Sequence, residues 1–543
     1  MREIKLKGAK EPTIALALDT IEQRKQALVF CASKRAAESQ AEKIAKSIST
    51  TDAIDFRGAH QLAQTALHTL STPTKQCKRL ARCLEKGIAF HHAGLASPQR
   101  ELIEEQFRSG AIKIICSTPT LAAGLDLPAF RAVIRDTKRF GTYGMVDIPV
   151  LEYEQMAGRA GRPGKEEYGE ALLVANTTSD LPDYFANYVH GEVEDIYSKL
   201  AVETVLRTYI LSLIATGFIK TGGELQKFFA KTFYAQQFGN LDKLNATLHR
   251  ITSMLVAWEF LEGAGGQQRK KTNELFMTGT QLLTQTAQQA AGKLTATNLG
   301  GRVSEIYLDP LTARTLLDGL KQMHEDKKEA HDRDQTFALT HLLCCALEMR
   351  PLLRVKTKEY DDMLLYKEQA RFLLDEEAYM DKFSDDFEDT IKTARCLMNW
   401  MEEYNEETLL ERYDVRPGEL SMKQQKADWL LYACEEIARV ENLKGIRSIL
   451  KHVRTRMKHG AKSELLTLLH FQGIGRVRAR KLYTRGIRGV SDVKQASYEQ
   501  LTSIVGQAMA GKLKEQVGEK VNPPAQKPTP PSKRPQRQLG SFT

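Results

Sequence analysis

Residues Glu154–Gly164 read EQMAGRAGRPG. The spacing predicts a helix stopped by Pro163–Gly164, with Gln155, Arg159 and Arg162 at i, i+4 and i+7 on one face. Ala157, Gly158, Ala160 and Gly161 leave that helix slim, so two guanidiniums can approach an anion without steric obstruction. A guanidinium stays charged and offers a forked pair of donors, which suits phosphate oxygens. Two surface arginines on a Gly-rich turn are the plain alternative, but they leave the complete Q-x-x-G-R-x-G-R-x-G string unexplained.

Working outward, the chain to about Tyr188 alternates apolar runs with helical stretches. Ala27–Cys31, Gly87–Phe90, Ile112–Cys116, Ala132–Arg135 and Ala171–Ala175 read as strands, and Ser33–Ile48 and Gln99–Arg108 as helices. Buried strands alternating with helices predict a parallel α/β sheet. Asp52–Leu84 reads as a helical insertion before the second strand. The chain has 543 residues, 42% hydrophobic and 27% charged, enough for several folded domains and too apolar for global disorder. No apolar run is long enough to span a membrane, and no signal peptide is legible at Met1–Lys10. The eight cysteines are scattered, which argues against a disulfide framework or zinc site and for an intracellular, cytoplasmic setting. His91–His92 lacks further ligands nearby, so no metal site is expected there. A net charge of +10 indicates nothing until its distribution is known.

Several segments resemble the motifs of superfamily 2 helicases. Glu154–Gly164 resembles motif VI, Phe90–Leu95 (FHHAGL) motif IVa and Ser117–Ala129 (STPTLAAGLDLPA) motif V. Ala27–Ser33 with the helix around Glu38 resembles motif IV. Their order is similar to the Ski-two-like branch, specifically the archaeal helicase-308 DNA repair family. The resemblance implies a multidomain chain: a second RecA-like motor domain (1–190), a winged helix (191–308), an α-helical ratchet domain (309–456), a helix-hairpin-helix domain (457–518) and a disordered tail (519–543). It implies that Arg159 and Arg162 reach across a cleft to the ATP γ-phosphate, with Arg162 the better candidate for the arginine finger. Gln155 would place the attacking water or couple ATP to DNA. Gly124 and Asp126 would face the nucleotide and Thr118 a DNA phosphate; the family more often shows Asn where Asp126 stands.

Between motifs V and VI, two extended runs flank Gly141–Gly144, which reads as a hairpin tip. The resemblance makes it a wedge between duplex strands. Phe140, Tyr143 and Met145 would stack on the terminal base pair, while Lys138 and Arg139 hold phosphate. An ordinary surface hairpin is the competing reading. In 191–308, helices at Leu200–Ile219 and Asn240–Leu261 precede a strand, a Gly-Gly turn and a short apolar run at Lys293–Leu308. Met422–Leu443 reads as a long amphipathic helix with Leu430, Ala433, Ile437 and Val440 on its core stripe. Trp429 lies off that stripe, one turn from Lys426 and two from Lys423, a pairing that suits base stacking with phosphate contact as well as ordinary core packing. The acidic run Asp375–Asp389 reads as a solvated face.

Phe471–Gly475 (FQGIG) fits a helix-hairpin-helix turn, in which Gly473 and Gly475 let backbone N–H groups bind phosphate. Arg476, Arg478, Arg480, Lys481, Arg485 and Arg488 surround it, giving a sequence-independent DNA grip. A second, degenerate hairpin is expected at Ile504–Ala508. The tail ends QRQLGSFT, where Gln536, Leu539 and Phe542 resemble a sliding-clamp box with Thr543 in place of the second aromatic; chance gives such a match too.

No G-x-x-x-x-G-K-[ST] and no D-E-x-H occurs in the sequence. Helicase chemistry needs a P-loop for the phosphates and an acidic box for Mg²⁺. The expectation is therefore the C-terminal half of an ATP-dependent DNA helicase, and the resemblance alone implies that it moves 3′ to 5′. Its ATP and Mg²⁺ would be held mostly by a first motor domain in trans or upstream, its substrate would be single-stranded or forked DNA, and the isolated chain would be inactive. A non-catalytic DNA- and clamp-binding subunit, and an RNA helicase of the same branch, are the alternatives.

Overall fold

The computed structural model describes residues 11–48, 56–70, 72–141, 144–162, 164, 166–175, 177–263, 292–326, 332–383 and 386–519. They form two units, one running to Lys458 without 401–403, the other comprising Met401–Glu403 and the segment from His459 onward.

The first unit begins with helix α1 (Pro12–Glu22) and a five-stranded sheet of β1 (Ala27–Phe30), β2 (Ile88–His91), β3 (Ile114–Ser117), β4 (Arg131–Ile134) and β7 (Glu170–Leu173). The order is β2-β3-β1-β4-β7 and every pairing is parallel. The four strands β1 to β4 are buried on both faces, as their continuous apolar runs require. Between them run α2 (Lys34–Ser47), α3 (Phe56–Leu67), α4 (Lys75–Leu84) and α5 (Ser97–Arg108). Ser33 caps α2 by accepting from the Ala36 amide, and Thr74 caps α4 by accepting from the Cys77 amide, so both helices start where the sequence supplies a hydroxyl. Arg131 is buried within this core and fully paired: it donates to Leu16 and Thr20 of α1 and to Glu170 of β7, tying both to β4. Cys31 and Cys83 are buried as well, and burial pushes both thiols up to about 12.

Beyond the sheet, the helices Glu203–Ala215, Gly222–Phe229, Phe233–Phe238 and Leu241–Ala257 precede an antiparallel pair, β8 (Leu261–Gly263) and β9 (Leu294–Ala296). Helices followed by a short antiparallel pair thus make up the described part of residues 203–296. The expected Gly-Gly turn is absent, because Gly300 and Gly301 lie inside a helix, Asn298–Glu305, that Thr297 caps. Gly300 is needed for packing: a Cβ there would sit 1.9 Å from the Phe260 carbonyl oxygen.

The longest helix among the described residues starts at Pro417, five residues before the expected start, and runs to Val440. Pro417 occupies its first turn, where a missing N–H costs nothing, so the Pro-Gly pair opens this helix and does not merely interrupt the chain. Leu430, Ala433 and Ile437 are buried as expected. The acidic run is not a bare solvated face. Asp386 accepts from Arg350 and from the Tyr379 hydroxyl, and Asp389 accepts from the Val355 amide at 2.6 Å.

In the second unit, Leu466–Leu469 and Arg476–Thr484 flank the first hairpin, and Tyr498–Val505 and Gln507–Gln516 the second. Gly473 and Gly506 have φ of 83° and 87°, left-handed values that a side chain resists, which fixes glycine at both turns. Leu468, Ala479, Leu482, Leu501 and Leu513 form a common core.

Candidate functional site

Motif V leaves β3 through Thr118 and becomes the short helix α6 (Thr120–Gly124). Motif VI begins in α7 (Val150–Ala157), which ends five residues before Arg162, the last position ahead of Pro163. Gly158 caps it, Ala160 pairs with Ala129 in a parallel bridge, and Gly161 takes φ 90°. The Gly161 amide donates to Ala129 at 2.7 Å, and a Cβ on Gly169 would lie 2.2 Å from Gly161 N. The glycines thus serve a backbone-to-backbone loop, and the expectation of one helical face for Gln155, Arg159 and Arg162 is corrected. The three side chains go to three places.

Gln155 is exposed and lines a cleft of about 770 Å³ together with Ser33, Thr118, Thr120 and Arg139. Thr118 and Thr120 hydroxyls are 2.9 Å apart in that wall. Arg159 instead turns toward the end of motif V. Its Nε donates to the Ala122 carbonyl at 3.0 Å, and its Nη1 lies 3.8 Å from Asp126. The Asp126 side chain is 95% exposed, and a Cβ on Gly124 would meet open space. Arg162 turns the other way. Its Nε donates to both oxygens of Glu166 at 3.0 Å, its Nη2 also reaches Glu166, and its Nη1 donates to Gln26 at 2.5 Å. Burial favours the neutral form of Glu166, yet the hydrogen bonds and charge of Arg162 and the charge of Lys25 hold its carboxyl below the ordinary value. Neither Gln26 nor Glu166 stood out in the sequence, because their partnership with Arg162 exists only once the sheet has formed.

The expected wedge is a hairpin of β5 (Lys138–Gly141) and β6 (Gly144–Asp147), with Phe140 opposite Met145 in register. Met145 is 60% exposed. Tyr143 and the Phe140 side chain lie outside the described residues. Arg139, expected on phosphate, forms an ion pair with Glu152 of α7 at 2.6 Å and so braces the hairpin against motif VI. Lys138 is exposed, its ammonium 3.9 Å from Asp147. The Tyr188 hydroxyl lies 3.2 Å from the Ile148 carbonyl and 3.3 Å from that of Thr137, closing the hairpin base.

The long helix Pro417–Val440 is bolted to the sheet-bearing region at its first turn. The Gly418 amide donates to the Gly94 carbonyl at 3.0 Å, and a Cβ on Gly418 would lie 2.3 Å from both the Ala93 and Leu95 carbonyl oxygens. Beside them Glu38, with a side chain 4% exposed, accepts from Gln76 at 2.9 Å and from Arg416 at 3.2 Å. Arg79 also donates to it, and His92 Nε2 is 3.1 Å away. Burial alone would raise the Glu38 carboxyl, but the bonds from His92 and Gln76 and the Arg416 charge hold it well below 4.5. Burial lowers His92 below its ordinary 6.5. His91 similarly meets Glu104 at 2.9 Å. Further along the helix, Lys426 donates to the Arg350 carbonyl at 2.6 Å, Lys423 to Pro351 at 2.6 Å, and the half-buried Trp429 indole to Ile306 at 3.3 Å. The ammonium of Lys426 is therefore anchored to backbone, which the sequence did not indicate.

In the second unit the residues expected to grip DNA divide. Gly475 caps the helix Arg476–Thr484 with its Cβ position open to solvent, and Arg478 and Lys481 are exposed on that helix. Arg478 also donates to the Gly473 carbonyl at 2.8 Å, closing the turn. Arg480 serves packing: it donates to Glu403 at 2.9 Å and to Glu464 at 2.8 Å. Arg476 begins the helix. Gln536, Leu539 and Phe542 lie outside the described residues. Among the described residues, no helix is long and apolar enough to cross a membrane, and no group of His, Cys, Asp and Glu gathers as for a metal.

Three family descriptions match the chain: the helicase conserved C-terminal domain over 66–164, archaeal helicase domain 4 over 337–460, and a SAM-like helix-hairpin-helix tandem over 465–519. A Methanococcus vannielii protein named ATP-dependent DNA helicase Hel308 is 37% identical over 93% of this chain and 67% of its own length. Proteins of the same name from Methanocella arvoryzae and Pyrococcus horikoshii are 34% identical, over 94% and 90% of this chain and 65% and 63% of theirs. The chain thus spans about two thirds of the length of the curated relatives it matches. With the motifs, the parallel sheet and the paired hairpins in one order, the chain belongs to the Hel308 helicase family.

Proposed function

We propose that this chain supplies the second motor domain and the DNA-gripping domains of an ATP-dependent helicase that moves 3′ to 5′ on single-stranded or forked DNA, in repair and replication restart. The observation that carries this is the division of motifs V and VI between two places. Thr118, Thr120 and Gln155 line one cleft, while Arg159, Gly124 and Asp126 sit at the far end of α6. A helix of five residues therefore connects a polar wall suited to a sugar-phosphate backbone with a cationic edge suited to a polyphosphate.

ATP with Mg²⁺ supplies the phosphoryl group whose transfer to water drives movement, and the chemistry around it is mainly positioning and charge stabilisation. The residues present fit such a group: Arg159 brings a guanidinium to the end of α6, where Gly124 leaves open space beside the exposed Asp126, and Arg162 brings a second from its separate seat on Gln26 and Glu166. Arg162 and Arg159 would face charge that develops on the γ-phosphate, and Asp126 would accept from a nucleotide hydroxyl or bound water. The P-loop and acidic box would come from a first RecA-like domain. Gln155, lining the cleft, supports the coupling role over placement of water. The hairpin braced by Arg139–Glu152 would part the strands, Trp429 would meet a base, and the exposed Arg478 and Lys481 would hold phosphate. A sliding clamp would engage Gln536, Leu539 and Phe542.

The test mixes this chain with a P-loop-bearing first motor domain and follows duplex opening. A 3′-tailed DNA fork should be opened, and replacing the hairpin tip by a short Gly turn should abolish opening while DNA-stimulated ATPase persists. Preferential opening of RNA duplexes, or DNA binding with no ATP-dependent opening, would overturn the assignment.

A further inference from the structure

Arg162 is held more completely than an arginine at a loop end requires. Gln26, one residue before β1, is 4% exposed. Its Nε2 donates to the carbonyls of Phe107 and Ile112 at 2.7 Å each. Only the amide nitrogen can serve two carbonyls, so the oxygen is forced toward Arg162, from whose Nη1 it accepts at 2.5 Å. On the other side the Glu166 side chain is 1% exposed. It accepts from the Arg162 backbone amide at 3.1 Å, from Nε at 3.0 Å and from Nη2. The guanidinium is thereby fixed in position, in plane and in rotation. Its Nε–H and one N–H on each terminal nitrogen are engaged, so each terminal nitrogen keeps one N–H for an outside anion. The Arg162 side chain remains 19% exposed.

We propose that Gln26 and Glu166 are the positioning residues of Arg162, holding its guanidinium ready for the γ-phosphate so that no reorganisation is needed as charge develops there. The proposal rests on the reading of Arg162 as the finger. A group that acts on a transition state gains from being fixed beforehand, and small misplacements of such groups are costly in rate. Glu166 holds the arginine without consuming it, since a carboxylate on the Nε edge takes only one N–H of Nη2 and leaves the other free. Lys25, 3.6 Å from Glu166, shares the same carboxylate and keeps the neighbourhood cationic. Gln26 sets the rotation from the opposite side, from the start of the central strand β1, whose place inside the sheet makes it rigid.

The experiment has two arms. In the complete motor, formed by this chain and a P-loop-bearing domain, Glu166→Gln should lower kcat about tenfold or more with KM for ATP within about twofold, and Glu166→Asp should restore part of it. In an Arg162→Ala background Glu166→Gln should cost nothing further, since there is no guanidinium left to hold. An equal loss in both backgrounds would show that Glu166 supports the fold and not the finger, and full turnover by Glu166→Gln would also end the proposal. In the isolated chain, with no nucleotide present, arginine-selective ¹⁵N spectra should show a slowly exchanging Arg162 Nε–H that vanishes in Glu166→Gln and is identified by its absence from Arg162→Lys. If Arg162→Ala leaves turnover intact while that signal behaves as expected, the clamp stands and the finger assignment falls. A rapidly exchanging Nε–H in the unaltered chain would overturn the clamp itself.

Discussion

Gly418→Ala probes the joint between the motor domain and the long helix. In an isolated helix the change would help, because alanine is favoured over glycine by about 1 kcal/mol. Here the added methyl would stand 2.3 Å from two backbone oxygens, those of Ala93 and Leu95. Carbonyl oxygens of the FHHAGL segment cannot swing aside as a flexible side chain could, so helix and segment must separate. Separation of this kind costs roughly 1–3 kcal/mol as overpacking. It also stretches the 3.0 Å bond from Gly418 to Gly94, a further ~1 kcal/mol. After the gain in helix propensity, a net loss of about 2 kcal/mol remains. Scanning calorimetry should show the transition of the first unit lowered by roughly 2–5 °C. Gly301→Ala is the control: it is also helical, nothing lies within 4 Å of its Cβ position, and it should leave the transition unchanged or slightly raised. If both variants melted at or above the parent, the two domains would not be joined by this close approach.

Two further outcomes follow from the charged groups. Because the Glu38 carboxyl and the His92 imidazole are both lowered on folding, the unfolded chain binds more protons as pH falls, so acid removes stability, from about 6.5 downward for His92 and 4.5 for Glu38. Glu38→Gln should melt lower than the parent at pH 7, and the gap should narrow as pH falls through 4.5; a constant gap would mean that Glu38 is not the charged hub. In the second unit, Lys481→Ala should weaken DNA binding and reduce its salt dependence by about one counterion. Arg480→Ala should chiefly lower thermal stability, since Glu403 and Glu464 would lose their partner. Anisotropy titrations at several salt concentrations, beside melting curves, separate the two.

What the sequence disclosed follows the range of the forces involved. Strands β1 to β4 were legible because burial on both faces makes them largely apolar runs, β7 because three apolar residues follow Glu170 although none of its residues is fully buried, and the hairpin because Gly141 and Gly144 mark a local turn. The end of α7 was not. Helical periodicity continues to Arg162 on paper, but the bridge from Ala160 to Ala129 draws the chain against the segment that enters β4, and that partner lies 31 positions away. Gly300–Gly301 reads as a turn by composition, yet Thr297 caps a helix there and Phe260 needs the missing side chain. Arg480 and Lys426 look like any cation beside a DNA-binding motif, and only their partners Glu403 and Arg350, distant in sequence, assign them to packing. Gln26 and Glu166 carry no signal for the same reason.

The most direct test of the central claim is ATP turnover by this chain alone, by its mixture with a first motor domain carrying a P-loop, and by the mixture with Arg162→Ala. The account predicts no significant hydrolysis from the chain alone and DNA-stimulated hydrolysis from the mixture. With Arg162→Ala it predicts a fall of about 10³-fold or more, as for arginine fingers in nucleotidases, while DNA binding survives. Robust metal-dependent hydrolysis by the chain alone, or full turnover by the Arg162→Ala mixture, would contradict it.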